Sequence, residues 1–179
     1  CFAFVLNDRI EIGFNFRFGS YTTDKFSVNE NGVLRLGNIP IESSYNAGSF
    51  SSYFYSNNTP KISAYASYTS TGPGGYVKYK VVGSAPNRTL VVEYRLENPI
   101  TNLFQIQLNE TSNKITFVYN YNHTNQYQNY SYMIGIGDSI SSVVVNTTAD
   151  TAIYCTNGHS NSYYNLLPQH KYYEFSPNF

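Results

Sequence analysis

Apolar and polar residues alternate along most of the chain. Between positions 10 and 18 every second residue is Ile or Phe, and the residues between them are Glu, Gly, Asn and Arg. The same period of two recurs in further segments, at 77–81, 90–96, 104–108, 115–119 and 132–136. This period is typical of a β-strand with one buried face, and no stretch keeps a helical period over several turns. The pattern therefore predicts half-buried strands and no long helix.

Turn residues separate the predicted strands, as at Asn31-Gly32, the Gly-Pro-Gly-Gly run at 72–75, and Ala85-Pro86-Asn87. Short strands at a spacing of about ten residues, each with one apolar face, are typical of sandwiches and jelly rolls. We therefore predict an all-β fold, an antiparallel two-sheet β-sandwich that is jelly-roll-like and has about ten or more strands.

No linker divides the chain, so residues 1–179 are predicted to form a single domain. A stretch rich in Ser, Tyr and Asn, from Gly37 to Pro60, is predicted to be a long surface loop. Residues 1–7 precede the first alternating segment. They are predicted to form an N-terminal strand that docks, or is donated to a neighbouring copy, through Phe2, Phe4 and Leu6.

Composition narrows the class of protein. With 17% aromatic residues, including 19 Tyr, the chain can bury a sizeable core, unlike a disordered segment. Its 11 basic and 11 acidic residues give no net charge, so we expect neither a nucleic-acid partner nor attraction to an anionic membrane. No apolar run is long enough to insert across a membrane. A surface rich in Asn, Ser and Thr but poor in charge is expected to be covered by glycan, by neighbouring subunits, or by both.

Catalytic and metal sites are not expected. The acids on predicted strands occupy solvent-facing positions beside bases, such as Glu93 with Arg95, rather than paired positions in a cleft. The histidines, at 123, 159 and 170, lie in polar segments, and no Gly-x-Ser-x-Gly motif is present. Cys155 and His159 have a ligand-like interval, but no second cluster accompanies them. We predict no catalytic residue, no metal and no cofactor, and hence a protein that is not an enzyme.

The two cysteines, Cys1 and Cys155, leave three alternatives open. They form an intrachain disulfide, they link successive subunits, or Cys1 is free or carries a lipid. An intrachain bridge is the preferred interpretation, because the composition suits the extracellular side, where disulfides persist.

N-glycosylation is suggested by Asn-x-Ser/Thr triplets without an intervening Pro. The candidate acceptors are Asn57, Asn87, Asn109, Asn122, Asn129 and Asn146.

The order of segments resembles a β-sandwich domain of secreted and cell-surface proteins of Bacteroidota, often those exported by the type IX system. The likeness rests on IGFNF at 12–16, FSVNENGVLRLG at 26–37, KISAY at 61–65, GYVKYKVVGSAPNR at 75–88 and YYEFSP at 172–177. Such domains are non-catalytic modules of adhesins and filaments. The resemblance also implies O-glycosylation at Asp-Ser/Thr followed by a small or apolar residue, which fits Ser139 and Thr151.

The functional prediction combines these features. We expect an extracellular structural or adhesive module, a glycosylated subunit of a surface fibril built from copies of itself. The alternative is a lectin-like carbohydrate-binding module in which loop tyrosines, Tyr53 and Tyr55, stack on sugar rings or contact a partner. Exposed tyrosines favour either interpretation, whereas the absence of Trp argues against a flat sugar-binding platform.

Overall fold

A computed structural model describes most of the sandwich. The described residues are 3–4, 8–42, 59–67, 70–97, 101–120, 132–138, 141–146, 151–156 and 172–176. Their strands are β1 (Ala3–Phe4), β2 (Ile10–Phe18), β3 (Tyr21–Val28), β4 (Val33–Leu36), β5 (Lys61–Ser67), β6 (Tyr76–Val82), β7 (Thr89–Leu96), β8 (Asn102–Asn109), β9 (Ile115–Tyr119), β10 (Tyr132–Gly137), β11 (Ser141–Asn146), β12 (Thr151–Thr156) and β13 (Tyr172–Phe175).

The strands form two antiparallel sheets. Sheet A has the order β1-β6-β7-β8-β9-β13, and sheet B has the order β12-β11-β10-β5-β4-β3-β2. Consecutive strands are mostly hairpin neighbours, so β2 to β5 stay in sheet B and β6 to β9 stay in sheet A. The predicted all-β, antiparallel two-sheet sandwich is confirmed.

Large apolar side chains from both sheets fill the space between them. Sheet B contributes Phe16 and Phe26, and sheet A contributes Tyr94, Phe104 and Phe117, all of them fully or almost fully buried. The rings of Tyr94 and Phe104 stack with centroids 4.8 Å apart. Aromatic burial of this kind supplies much of the hydrophobic stabilisation of a sandwich.

One irregularity in sheet B adds an aromatic residue to the core. The pairing of β5 with β10 shifts register between Met133 and Gly135. A bulge inserts an extra residue and re-aims the side chains beside it. Tyr65, which follows Ala64 in β5, therefore joins the core, and its ring lies 6.0 Å from that of Phe104.

The outer face of sheet B is covered over β4, β5 and part of β10, whereas along β2 it is exposed. Val33, Arg35, Lys61, Ser63 and Met133 alternate with core residues, yet each is at most 3% exposed. Part of the cover is the start of the predicted loop, because the Ile41 backbone N–H donates to Ser27 Oγ at 2.8 Å and Ile41 is itself buried. Residues 37–42 and 59–60 carry no strand, as predicted, but Ile41, Thr59 and Pro60 are buried; residues 43–58 lie outside the described part.

Candidate functional site

The N-terminal edge of sheet A is the first candidate surface. There β1 pairs antiparallel with β6, with Ala3 opposite Tyr79 and Phe4 opposite Lys78. On its other side β6 pairs with β7 without irregularity from Tyr76 to Val82. A regular strand with an apolar inner side is suited to accept another strand at its edge.

The β2 edge of sheet B is less regular. The pairing of β2 with β3 is irregular between Glu11 and Phe16, and Arg88 donates from Nη1 to the Gly13 carbonyl of β2 at 2.6 Å. At the far edge of sheet A, β13 is the outermost strand and pairs with β9 along all four of its residues. Bulges and covering strands are the usual protection of an edge.

A polar row on the outer face of sheet A is the second candidate surface. Glu93 accepts hydrogen bonds from Tyr76 at 2.9 Å and from Gln105 at 2.8 Å, and its carboxylate lies 3.0 Å from Lys78 Nζ. Gln107 extends the row by donating to Gln105 at 2.9 Å. Burial opposes ionisation of Glu93, but the bonds from Gln105, Lys78 and Tyr76 outweigh it and lower the pKa. The row is an ordered surface of fixed donors and acceptors.

Two of the predicted glycosylation triplets face each other across β7 and β8. Thr89 lies opposite Asn109 and donates to its Oδ1 at 3.4 Å, and Thr111 donates to Asn87 Oδ1 at 3.5 Å. Asn87 is exposed in the turn before β7, whereas Asn109 is half-buried on the sheet. The surroundings therefore favour a glycan at Asn87 over one at Asn109.

An ion pair joins the central residues of these two triplets. Arg88 binds Glu110 through Nη2 at 2.5 Å and through Nε at 2.8 Å, a fork that fits a carboxylate. The hydrogen bonds from Arg88 are the main cause that lowers the pKa of Glu110. Because Arg88 also binds Gly13 of sheet B, this group ties the two sheets together at one end of the sandwich.

A buried pair of cations lies on the outer face of sheet B. Arg35 of β4 lies opposite Lys61 of β5, and the two are 3% and 2% exposed. Arg35 donates from Nε to Thr59 Oγ1 at 2.6 Å and from Nη1 to the Pro40 carbonyl at 3.2 Å. Arg35 thus holds both described ends of the loop between β4 and β5 against the sheet.

Lys61 has an unusual ionisation. Burial lowers its pKa to about 8, the neighbouring Arg35 cation adds to this effect, and Glu42 opposes it. A lysine with this pKa is charged at pH 7 and loses its charge a little above that pH, whereas an exposed lysine stays charged.

Catalytic or metal-binding geometry is not evident in the described residues. No group of three or more His, Cys, Asp or Glu side chains lies close enough together there to hold a metal. The three histidines fall outside the described residues. Glu93 pairs with Lys78 on the neighbouring strand rather than with Arg95, which binds Glu97 at 2.7 Å.

The remaining predicted site residues are only partly placed. Phe4 belongs to β1, while Cys155, Thr151 and Asn146 are located by backbone pairing alone, with Cys155 opposite Ser142 and Thr151 opposite Asn146. The residues that lie outside the described part are Cys1, Phe2, Leu6, Tyr53, Asn57, Tyr55, Asn122, Asn129 and Ser139. The disulfide, the O-glycosylation sites and the tyrosine stacking site stay predictions.

Sequence reasoning missed the buried cation pair. Arg35 lies within the run Val33-Leu34-Arg35-Leu36, where alternation alone assigns it to a solvated face. The described ends of the loop contact Arg35 through Pro40 and Thr59, and no local pattern encodes these contacts. The available signals for a buried cation were the apolar neighbours on both sides of Arg35 and Lys61 at the start of KISAY.

Comparison with known protein families identifies the family of the chain. A family model described as NIDO related matches residues 5–177, which is nearly the whole chain. No curated protein and no solved structure matches the chain. Within the described ranges, no helix is long and apolar enough to cross a membrane.

Proposed function

The chain belongs to the NIDO-related family, and from this premise we propose that it is a structural or adhesive module that assembles with copies of itself into a surface fibril. The family is a β-rich domain typical of extracellular proteins. Membership of this family supports an extracellular module. Assembly of identical copies into a fibril is what we propose beyond it.

The observation that carries the proposal is the pairing of the N-terminal segment with a sheet edge. Ala3 and Phe4 pair with the edge of β6, and the inner face of β6 carries the apolar residues Val77, Tyr79 and Val81. A sheet edge that accepts a short strand supports assembly by strand addition, because another copy can supply a strand to the same kind of edge.

The proposed module is not an enzyme and needs no cofactor. In the described part of the chain, six carboxylates have cationic partners within 3.2 Å rather than open positions beside a nucleophile or water site; they are Glu11, Asp24, Glu93, Glu97, Glu110 and Glu174. A screen for glycosidic, ester and peptide hydrolysis is expected to show no turnover. Turnover that survives repurification would reject this part of the proposal.

Covalent glycans are proposed as the coat of the exposed faces. Asn87 offers an exposed acceptor, and Ser139 and Thr151 are acceptors if the source belongs to Bacteroidota and exports the chain by the type IX route, as the sequence resemblance implies. Intact-protein mass of the native material is the test. A mass equal to that of the bare sequence would reject glycosylation.

Self-assembly is testable on the full chain in solution. Sedimentation velocity over rising protein concentration is expected to show species larger than the 20.3 kDa monomer. A single monomeric species at every concentration would reject the homo-polymer.

Carbohydrate binding is a second candidate, which the polar row on sheet A favours. This row presents fixed donors and acceptors from Lys78, Glu93, Gln105 and Gln107. Val118 of β9 lies opposite Gln105, and the exposed Tyr172 of β13 lies opposite Val118, so Tyr172 continues the row. Sugars are bound by such polar groups beside an aromatic ring. A glycan array should then show binding that is lost in Tyr172→Ala and Gln107→Ala; an array without hits would discard this function.

A further inference from the structure

We propose that the polar row on sheet A binds a linear, uncharged oligosaccharide that runs across the strands from Tyr172 towards Lys78. This inference rests on the second candidate function, carbohydrate binding, and specifies the class of sugar. The register places Lys78 opposite Glu93, Glu93 opposite Gln105, Gln105 opposite Val118, and Val118 opposite Tyr172. Directly opposite residues of an antiparallel pair share a face, so one continuous strip crosses β6, β7, β8, β9 and β13.

The strip has an apolar half and a polar half. Tyr172 is 68% exposed, and the half-buried Val118 lies beside it. The polar half consists of Gln105, Glu93 and Lys78, each of them half-buried. A sugar ring has an apolar C–H face and a rim of hydroxyls, so it can stack on an aromatic ring and hydrogen-bond to amides and carboxylates. The two halves of the strip match these two surfaces of a sugar.

Hydrogen bonds within the row hold its polar groups in place before a ligand arrives. Gln105 donates to Glu93 at 2.8 Å and accepts from Gln107 at 2.9 Å. These bonds use one N–H and one oxygen lone pair of Gln105, and the amide has a second N–H and a second lone pair with which to bond a ligand. Because the side chains are already held, binding costs less conformational entropy than it would at mobile side chains.

The charges of this face favour an uncharged ligand. Lys78 Nζ lies 3.0 Å from Glu93, and at the other end of the face Lys114 Nζ lies 2.7 Å from Glu174. An acidic glycan would have to compete with these carboxylates for the cations. The centre of the row is amide and carboxylate rather than apolar, unlike the centre of a typical protein–protein interface. An uncharged sugar therefore fits this face better than an acidic glycan or a protein surface.

The length of the strip sets the size of the ligand. Neighbouring strands lie about 4.8 Å apart, so the backbone of Tyr172 lies about 10 Å from that of Gln105 and about 19 Å from that of Lys78. A single sugar ring stacked on Tyr172 therefore does not reach the polar half, whereas the next units of a linear chain do. The strip should bind oligosaccharides and not single sugars.

Calorimetric titration of the full-length protein tests this assignment. The probes are cello-, xylo-, manno- and chito-oligosaccharides, each as the disaccharide and the hexasaccharide, with hexagalacturonate as the acidic counterpart. At least one neutral hexasaccharide should bind about tenfold tighter than its disaccharide, because only the longer chain reaches the whole strip. Equal binding of the two lengths would overturn the proposed size, and tighter binding of hexagalacturonate would overturn the uncharged class.

Substitutions locate the bound sugar. Tyr172→Ala and Gln105→Ala should each weaken binding of that hexasaccharide about tenfold, since the first removes the stacking ring and the second a hydrogen-bonding amide. Tyr172→Phe keeps the ring, and Lys80→Ala changes an exposed residue of β6 outside the row, so both should bind as the wild type does. Unchanged binding in both alanine variants would place the sugar elsewhere and overturn this site.

Two further results separate this inference from the wider proposals. If every probe fails to bind, the class of sugar is rejected, and carbohydrate binding is rejected with it when the glycan array also has no hits. Sedimentation of the same variants tests a second copy as the occupant of this face. If Tyr172→Ala and Gln105→Ala reduce self-assembly and leave sugar binding unchanged, the face is a contact between copies, which would overturn the inference and support the homo-polymer.

Discussion

At the scale of single residues, burial and local partners decide what each polar side chain does. Arg35 and Lys61 have similar charge but different roles, since Arg35 hydrogen-bonds Thr59 and Pro40 whereas Lys61 has a strongly lowered pKa. The sequence predicts neither role, because both depend on a loop that is close in space and far along the chain. By contrast, the exposure of Asn87 follows from its place in the Ala85-Pro86-Asn87 turn.

Lys61 makes a prediction about pH. Its pKa is about 8 in the folded chain, against 10.5 for an ordinary lysine, so between these values the unfolded chain binds more protons and stability rises with pH. Below pH 8 the full penalty of burying the cation applies, on the order of 3 kcal/mol. Lys61→Met should stabilise the protein at pH 7 and abolish this rise. Urea unfolding at pH 7 and pH 10 measures it, and an equal rise in the wild type and Lys61→Met would contradict the assignment.

The paired triplets make a prediction about modification. In a host that N-glycosylates secreted proteins, Asn87→Gln should remove glycan mass, whereas Asn109→Gln should not, because Asn87 is exposed and Asn109 is half-buried. Intact-protein mass spectrometry of both variants gives the answer. Glycan lost only with Asn109→Gln would reverse the expected order.

At the scale of strands, alternation succeeds where one face is solvated and fails where both are covered. Strands β6 to β9 were predictable because the outer face of sheet A stays polar and partly exposed, which keeps the period of two visible. In β4 all four residues are buried, so no alternation marks it. The register shifts in β2 and β5 were not predictable either, since a bulge leaves the residue order unchanged.

The turn between β3 and β4 makes a prediction at this scale. Gly32 has a φ of 87°, and a Cβ there would overlap the Tyr65 carbonyl and approach the Phe104 ring at 3.3 Å. Gly19 also has positive φ, at 57°, but no atom lies within 4 Å of the place that a Cβ would take there. Gly32→Ala should destabilise by roughly 3 kcal/mol or more, and Gly19→Ala by about 1 kcal/mol. Thermal unfolding compares the two, and equal losses would refute the close approach at Gly32.

At the scale of the whole molecule, the sandwich presents surfaces of different character. The outer face of sheet A is polar and partly exposed, the outer face of sheet B is covered over β4 and β5 but exposed along β2, and the β6 edge pairs with β1. The sheet count was predictable from the sequence, but the assignment of strands to sheets was not. The pairing of β10 with β5, for example, joins segments that are distant along the chain. The charge-poor surface is consistent with a molecule whose faces are occupied by glycan or by neighbours.

Negative-stain electron microscopy of the native, full-length material tests the central claim of self-assembly most directly. Self-assembly of this domain predicts filaments whose repeat matches the length of one sandwich. Monodisperse particles of single-domain size would contradict it.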